Sequence, residues 1–157
     1  MEKCKLETVS FGRGITTTPL QAAVAYAAIT NGGNMIKPTL RLGKNSNFIS
    51  SIPIVSKKTS DQMNKILRKV VTEKKGTASN ANIFGYEVGG KTGTAQNYKN
   101  DKKNINTFIS IFPSNEPKYV LLVILDDPKG APHLIYNYKG KPTINISRTE
   151  AGWNSVY

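Results

Sequence analysis

The sequence holds a single cysteine, Cys4, a single histidine, His133, and a single tryptophan, Trp153. One cysteine excludes any disulfide within the chain. One cysteine with one histidine falls short of the three or four ligands that a zinc site needs, so neither a metal nor a cofactor is expected. Acidic residues are scarce as well: 10 Asp and Glu stand against 22 Lys and Arg, a formal charge of +12. An excess of that sign attracts polyanions in general, whether nucleic acid, anionic lipid or an acidic wall polymer. The basic residues are scattered, however, and only Lys99–Lys103 and Lys139–Lys141 approach clusters, both in loop-like segments. Specific nucleic-acid binding is not expected from that distribution. Long hydrophobic runs are also missing. Among the longer ones, Tyr119 to Leu125 has the length of a buried strand, far short of a membrane span. The opening Met-Glu-Lys-Cys-Lys lacks the apolar stretch of a signal peptide, so the sequence as it stands carries no export signal or membrane anchor.

What is present fits one domain of 157 residues, long enough to bury a core without staples. Residues 8–18 are small, polar and punctuated by glycine, as a loop would be. A helix is predicted over Leu20–Ile29, with Thr18 as N-cap, Pro19 at the first helical position and Asn31-Gly32-Gly33 as the stop. Its many alanines suit close approach of another backbone, and we expect it to be buried. Turns and short extended pieces should follow from Asn34 to Val55. A second helix is predicted over Lys57–Lys74, with Ser56 as N-cap, an apolar stripe of Met63, Ile66, Leu67, Val70 and Val71, and a left-handed stop at Gly76. Beyond it the pattern turns to strands. Tyr86–Ala95 reads as extended, Asn97–Asn104 as a polar loop, and Thr107–Phe112 and Lys118–Leu125 as an antiparallel hairpin. The tail from Asp126 shows little period and is expected to be irregular. Helices followed by an antiparallel meander give an α+β class, with the helices laid on the sheet.

The segment that carries chemistry is Gly89-Gly90-Lys91-Thr92-Gly93-Thr94-Ala95. On a strand, Thr92 and Thr94 lie two apart and send both hydroxyls to one face. Gly93 has no Cβ to hold off a ligand, and Lys91 adds positive charge, which together make a platform for a carboxylate or an oxyanion. The same stretch has a rival reading. Gly85 to Thr92 fits the phosphate-binding loop G-x-x-x-x-G-K-[ST], and Val120–Leu125 followed by Asp126 and Asp127 looks like the strand and acid that hold magnesium. That loop needs a buried strand before it and a helix after it. Here Ser79–Phe84 does not read as such a strand, and the polar residues after Thr92 offer no apolar face to a helix. A nucleotide binder is therefore the alternative, and a basic, noncatalytic wall-binding or partner-binding module is a third reading.

Four segments together resemble the class B penicillin-binding proteins. Phe11-Gly-Arg-Gly14 with Thr18-Pro19-Leu-Gln21 is similar to the family's Tyr-Gly-x-Gly and its Thr-Pro-hydrophobic-Gln helix start. Tyr26 to Gly33 resembles Tyr-Ala-x-x-Ala-Asn-Gly-Gly, and Val70-Val71 through Gly76-Thr77-Ala78 resembles the link that follows the next helix. Gly85-Tyr86 and Gly90 to Gln96 match Gly-Tyr-x-x-Ala-Gly-Lys-Thr-Gly-Thr-Ala-Gln. The resemblance implies part of a penicillin-binding, serine β-lactamase-like transpeptidase fold. It also implies a peptidoglycan D,D-transpeptidase, of the division or elongation type, that works through a serine ester. By that resemblance Lys91 supports the proton network and attracts a carboxylate, Thr92, Gly93 and Thr94 bind substrate, and the Thr94 backbone N–H supplies half of an oxyanion hole. Stem peptides and β-lactams are the implied ligands, on the extracytoplasmic side of the membrane.

The departures are as informative. Neither Ser-x-x-Lys nor Ser-x-Asn occurs in the sequence, and Tyr98-Lys99-Asn100 imitates the second motif in the wrong order, on what reads as a solvated loop. The family's closing helix is expected to be missing as well, since Trp153–Tyr157 ends before it could form. Residues 1–157 are thus expected to be the C-terminal portion of a transpeptidase domain, noncatalytic alone unless a complementing N-terminal chain supplies the serine. Cys4 reads as an inert thiol, His133 as a surface histidine and Trp153 as a packing residue.

Overall fold

The computed structural model describes residues 9, 15–40, 53–97, 100–128, 135–138 and 141–144. Helix α1 spans Pro19–Thr30 and helix α2 spans Lys57–Thr72, followed by one 3-10 turn at Ser79–Ala81. Strands β1 (Gly89–Asn97), β2 (Asn100–Phe112) and β3 (Tyr119–Asp126) form an antiparallel sheet in that order. A separate antiparallel pair joins β4 (Ile135–Tyr138) to β5 (Lys141–Ile144). The α+β arrangement with helices on an antiparallel sheet is as the sequence predicts. Cys4, Phe11–Gly14, Tyr98, Lys99, His133 and Trp153 lie outside the described residues.

Helix α1 begins where its chemistry says it should. The Thr18 hydroxyl accepts from the Gln21 N–H at 3.2 Å, and the Gln21 side-chain oxygen accepts from the Thr18 N–H at 2.9 Å. This reciprocal box satisfies two donors that the first turn leaves without partners. Replacing Thr18 by alanine is expected to cost about 1 kcal/mol, measurable as a lowered denaturation midpoint at unchanged slope. The helix stops at Gly32 and Gly33, both left-handed with φ of 92° and 94°. Contrary to expectation, α1 is not buried as a whole. Only Ala28 and Thr30 are fully inside, and Leu20 is 59 % exposed. Its alanines favour the helix through backbone propensity, without requiring a neighbour on every side. The Tyr26 hydroxyl is buried without a hydrogen-bond partner among the described residues, and burial raises its pKa well above the ordinary tyrosine value.

Helix α2 carries the expected amphipathic character, with its inner stripe shifted. The fully buried positions are Ser60, Asn64, Leu67 and Val71, whereas Ile66 is 55 % exposed. Two polar residues occupy the inner face because they bind the end of α1. The Ser60 hydroxyl accepts from the Gly32 N–H at 2.9 Å, and the Asn64 amide donates to the Thr30 carbonyl at 3.0 Å. These bonds satisfy backbone groups that the end of α1 exposes. Helix α2 ends at Thr72, two residues earlier than predicted, with Glu73 extended at ψ 137°. Gly76 is not left-handed, so the predicted stop is not the reason for it. A Cβ there would instead collide with the Val70 carbonyl, and the Ala78 N–H donates to that same carbonyl at 3.3 Å. Gly76 lets the loop turn back tightly over the last turn of the helix.

The core lies between α2, the 3-10 turn and one face of the sheet. Val71, Ala78, Ala81, Val88 and Phe108 form its buried cluster, with Val70, Ile83, Phe112, Leu121 and Val123 packed around it. Two strand expectations need correction. The polar stretch from Asn97 to Asn104 is largely strand, because β2 starts at Asn100 and pairs back onto β1, with a register shift between Gln96 and Asn97. Pairing of backbone groups across a hairpin requires no apolar side chains. The tail is not irregular throughout, since β4 and β5 pair within it. At four residues each, these strands are too short to display a two-residue period.

Candidate functional site

The segment from Gly89 to Ala95 lies within β1, at one edge of the three-stranded sheet. The register decides which way its side chains leave. Thr92 sits opposite Phe108 and Thr94 opposite Asn106, whereas Lys91 and Gly93 face Ile109 and Thr107. Residues paired across an antiparallel ladder project to the same side. Thr92 and Thr94 therefore leave from the face that carries Phe108 and α2, as the spacing predicts, and Lys91 starts from the other face. Its side chain curls back so that the ammonium donates to the Thr92 carbonyl at 2.7 Å. Lys91 and Thr94 are exposed, and Thr92 and Gly93 are half-buried.

Two glycines let this strand lie where it does. A Cβ on Gly90 would stand 2.8 Å from the Phe108 ring and 2.7 Å from the Ile109 carbonyl. One on Gly93 would meet the Thr107 hydroxyl at 2.6 Å, whose own hydrogen points to the Gly93 carbonyl at 3.4 Å. Both separations are shorter than a carbon side chain tolerates, so each glycine is required by close packing.

The strand is held at its root by α2. The Arg68 guanidinium donates to the Val88 carbonyl at 2.7 Å and to the Asn82 side chain at 3.2 Å. The Ser114 N–H donates to the Glu87 carbonyl at 2.8 Å. Thr77, in the loop after α2, meets the strand directly: the Thr92 hydroxyl donates to the Thr77 hydroxyl at 3.1 Å. Sequence reasoning assigned no role to Arg68 or Thr77. Residues 77 and 92 are far apart along the chain, and only the packing of α2 on the sheet brings them together.

This geometry disposes of the phosphate-loop reading. Gly90, Lys91 and Thr92 are followed by strand through Asn97, not by a helix whose N-terminal N–H groups could cradle phosphates. Asp126 pairs with Ile105, level with Ala95, and so stands several residues along the sheet from the glycines. No group of His, Cys, Asp and Glu suited to a metal ion occurs among the described residues. Scatter of Lys91, Thr92 and Thr94 would have favoured the third reading, a basic noncatalytic module; they share one edge strand.

Comparison with known proteins gives a consistent result. A family model described as the penicillin-binding protein transpeptidase domain matches residues 2–149. Stage V sporulation protein D of Bacillus subtilis (strain 168) is 38% identical over 137 residues, covering 78% of this chain and 21% of the relative. The probable peptidoglycan D,D-transpeptidase FtsI of Caulobacter vibrioides is 35% identical over 134 residues, 78% of this chain and 23% of that protein. The apo transpeptidase domain of penicillin-binding protein 3 from Burkholderia pseudomallei superposes with a TM-score of 0.73 at 30% identity, covering 82% of this chain and 40% of that one. This chain thus spans less than a quarter of these two relatives and under half of that solved domain.

Proposed function

Because the chain belongs to the penicillin-binding protein transpeptidase family, we propose that it forms one wall of the acyl-transfer cleft of a peptidoglycan D,D-transpeptidase and is noncatalytic alone. The observation that carries this reading is the edge strand β1, which presents Lys91, Thr92, Gly93 and Thr94 on a single open segment. In this role the Lys91 ammonium draws the carboxylate of a stem peptide or β-lactam and supports the proton network around the nucleophile. Thr92 and Thr94 give hydroxyls to that carboxylate, and Gly93, between them, offers its backbone to the ligand. The Thr94 N–H is half of the oxyanion hole. A residue's N–H and C=O leave a strand on the same side, and residues two apart repeat the direction. The side on which Lys91 reaches the Thr92 carbonyl is therefore also the side of the Thr94 N–H, which supports this assignment.

The nucleophile and its base must come from elsewhere, since the sequence has no Ser-x-x-Lys or Ser-x-Asn. We read residues 1–157 as the C-terminal portion of the domain, completed by an upstream portion or by a complementing chain that carries the serine. The completed enzyme would act outside the cytoplasm, on wall peptides during division or elongation. No helix among the described residues is long and apolar enough to cross a membrane.

Labelling with a fluorescent penicillin tests this reading. The chain alone should give no covalent band after denaturing electrophoresis. Once completed by an upstream portion with both serine motifs, it should give one that excess unlabelled penicillin competes away. A covalent adduct on the lone chain would refute its noncatalytic character, and a completed domain that never labels would refute the assignment as a wall of the cleft.

A further inference from the structure

The contact between Thr92 and Thr77 brings a further hydroxyl to the strand that carries Lys91 and Thr94. A threonine hydroxyl has one hydrogen to give and two lone pairs to receive. The Thr92 hydrogen points to Thr77 at 3.1 Å, so that hydrogen is already engaged. The Thr77 hydrogen is the one left to donate outward, and its oxygen, already accepting, becomes a stronger donor through polarisation along the pair. Thr77 is exposed, whereas Thr92 is half-buried.

Thr77 is also held firmly enough to serve. Before it, Gly76 packs under the Val70 carbonyl, where no Cβ fits, and its N–H donates to the Glu73 carbonyl at 2.8 Å. After it, Ala78 is fully buried and its N–H donates to the Val70 carbonyl at 3.3 Å. Both neighbours are pinned to the end of α2, so Thr77 is carried on a short braced loop next to the strand. The charge on the same strand selects the ligand class: Thr77 meets the hydroxyl of Thr92 and the Lys91 ammonium meets its carbonyl, at 2.7 Å, and a hydroxyl donor and an ammonium reaching one residue suit an anionic oxygen.

We propose that Thr77 is a third hydroxyl of the carboxylate site: it donates directly to the ligand's carboxylate, and it holds the Thr92 hydroxyl in place until the carboxylate takes that hydroxyl over. The proposal rests on the reading of β1 as a transpeptidase wall, and its test separates the two. Benzylpenicillin and its carboxylate methyl ester are titrated into the whole chain to millimolar concentration, with backbone amide shifts of Thr92, Gly93 and Thr94 as the readout. The free acid should move these amides saturably and the ester should bind on the order of tenfold more weakly, as expected for loss of a charged acceptor. Thr77→Val should weaken acid binding by about tenfold and leave ester binding unchanged, whereas Thr77→Ser should stay within about twofold of the parent chain. Thr77→Ala serves the same purpose if valine disturbs the loop, as unchanged amide shifts elsewhere would report. Acid binding that Lys91→Gln weakens but Thr77→Val does not would overturn the role of Thr77 and leave the wall reading standing. Acid and ester that both leave the strand unmoved would overturn both.

Discussion

Changing Lys91 to methionine in a completed domain should slow acylation by benzylpenicillin on the order of 10²–10⁴-fold. The domain can be completed by fusing the chain to the upstream portion of the Bacillus subtilis relative, with the unsubstituted fusion as reference. Methionine keeps the length and apolar stem of lysine and removes only the ammonium. In this structure that ammonium is exposed and lies against the Thr92 carbonyl, at the edge where an acyl group would be held. In the role proposed for Lys91, two functions would be lost together: attraction of the ligand carboxylate and support of proton transfer at the nucleophile. Lys91 takes no part in the buried cluster, so thermal unfolding of the variant should match the reference and separate lost chemistry from lost fold. Time courses of fluorescent penicillin labelling give the rate. A Lys91→Met fusion within tenfold of the reference would contradict the role given to this residue.

The second large effect concerns stability. Phe108→Ala should destabilise the chain by about 3–5 kcal/mol, against a total of about 5–15 kcal/mol for a typical domain. Phe108 is 0% exposed and lies at the centre of the cluster formed with Val71, Ala78, Ala81 and Val88. It also stands opposite Thr92 in the ladder, and its ring fills the space that a Cβ on Gly90 would occupy. Removing it takes away the packing behind the strand that carries the site. Thermal unfolding followed by circular dichroism would show a drop of many degrees, and a drop of only a few would mean that the cluster repacks around the gap. The reciprocal change, Gly90→Ala, presses a methyl into the same ring and should also destabilise, through overpacking.

The parts of this fold that could be read in the sequence are those where local chemistry and tertiary packing agree. Thr18 and Pro19 begin α1, and Ser56 begins α2, because an N-cap depends on residues within one turn of itself. The β2–β3 hairpin was legible from two apolar runs with a turn between them. Lys91, Thr92 and Thr94 could be placed on one strand by their spacing and by a family resemblance that the comparisons bear out. What stayed hidden depends on partners distant in sequence. Ser60 and Asn64 look like surface residues until the end of α1 is laid beside them. The shift of the buried stripe away from Ile66 follows from that same contact. Gly76 looked like a helix stop, but its requirement is the collision a side chain would have with Val70. The extension of β2 into the Lys- and Asn-rich stretch comes from backbone pairing with β1, which leaves no apolar period to read.

The pair of bonds from Ser60 and Asn64 to the end of α1 has a consequence for assembly. Apolar contacts between two helices tolerate sliding, since one methyl replaces another at little cost. These two bonds do not. A displacement of α1 by one residue along its axis would strip the Gly32 N–H and the Thr30 carbonyl of their acceptor and donor, a loss of about 1–3 kcal/mol for the buried Thr30 carbonyl and less for the half-buried Gly32 N–H. The contact therefore behaves as an index pin, admitting a single axial setting of one rod against the other.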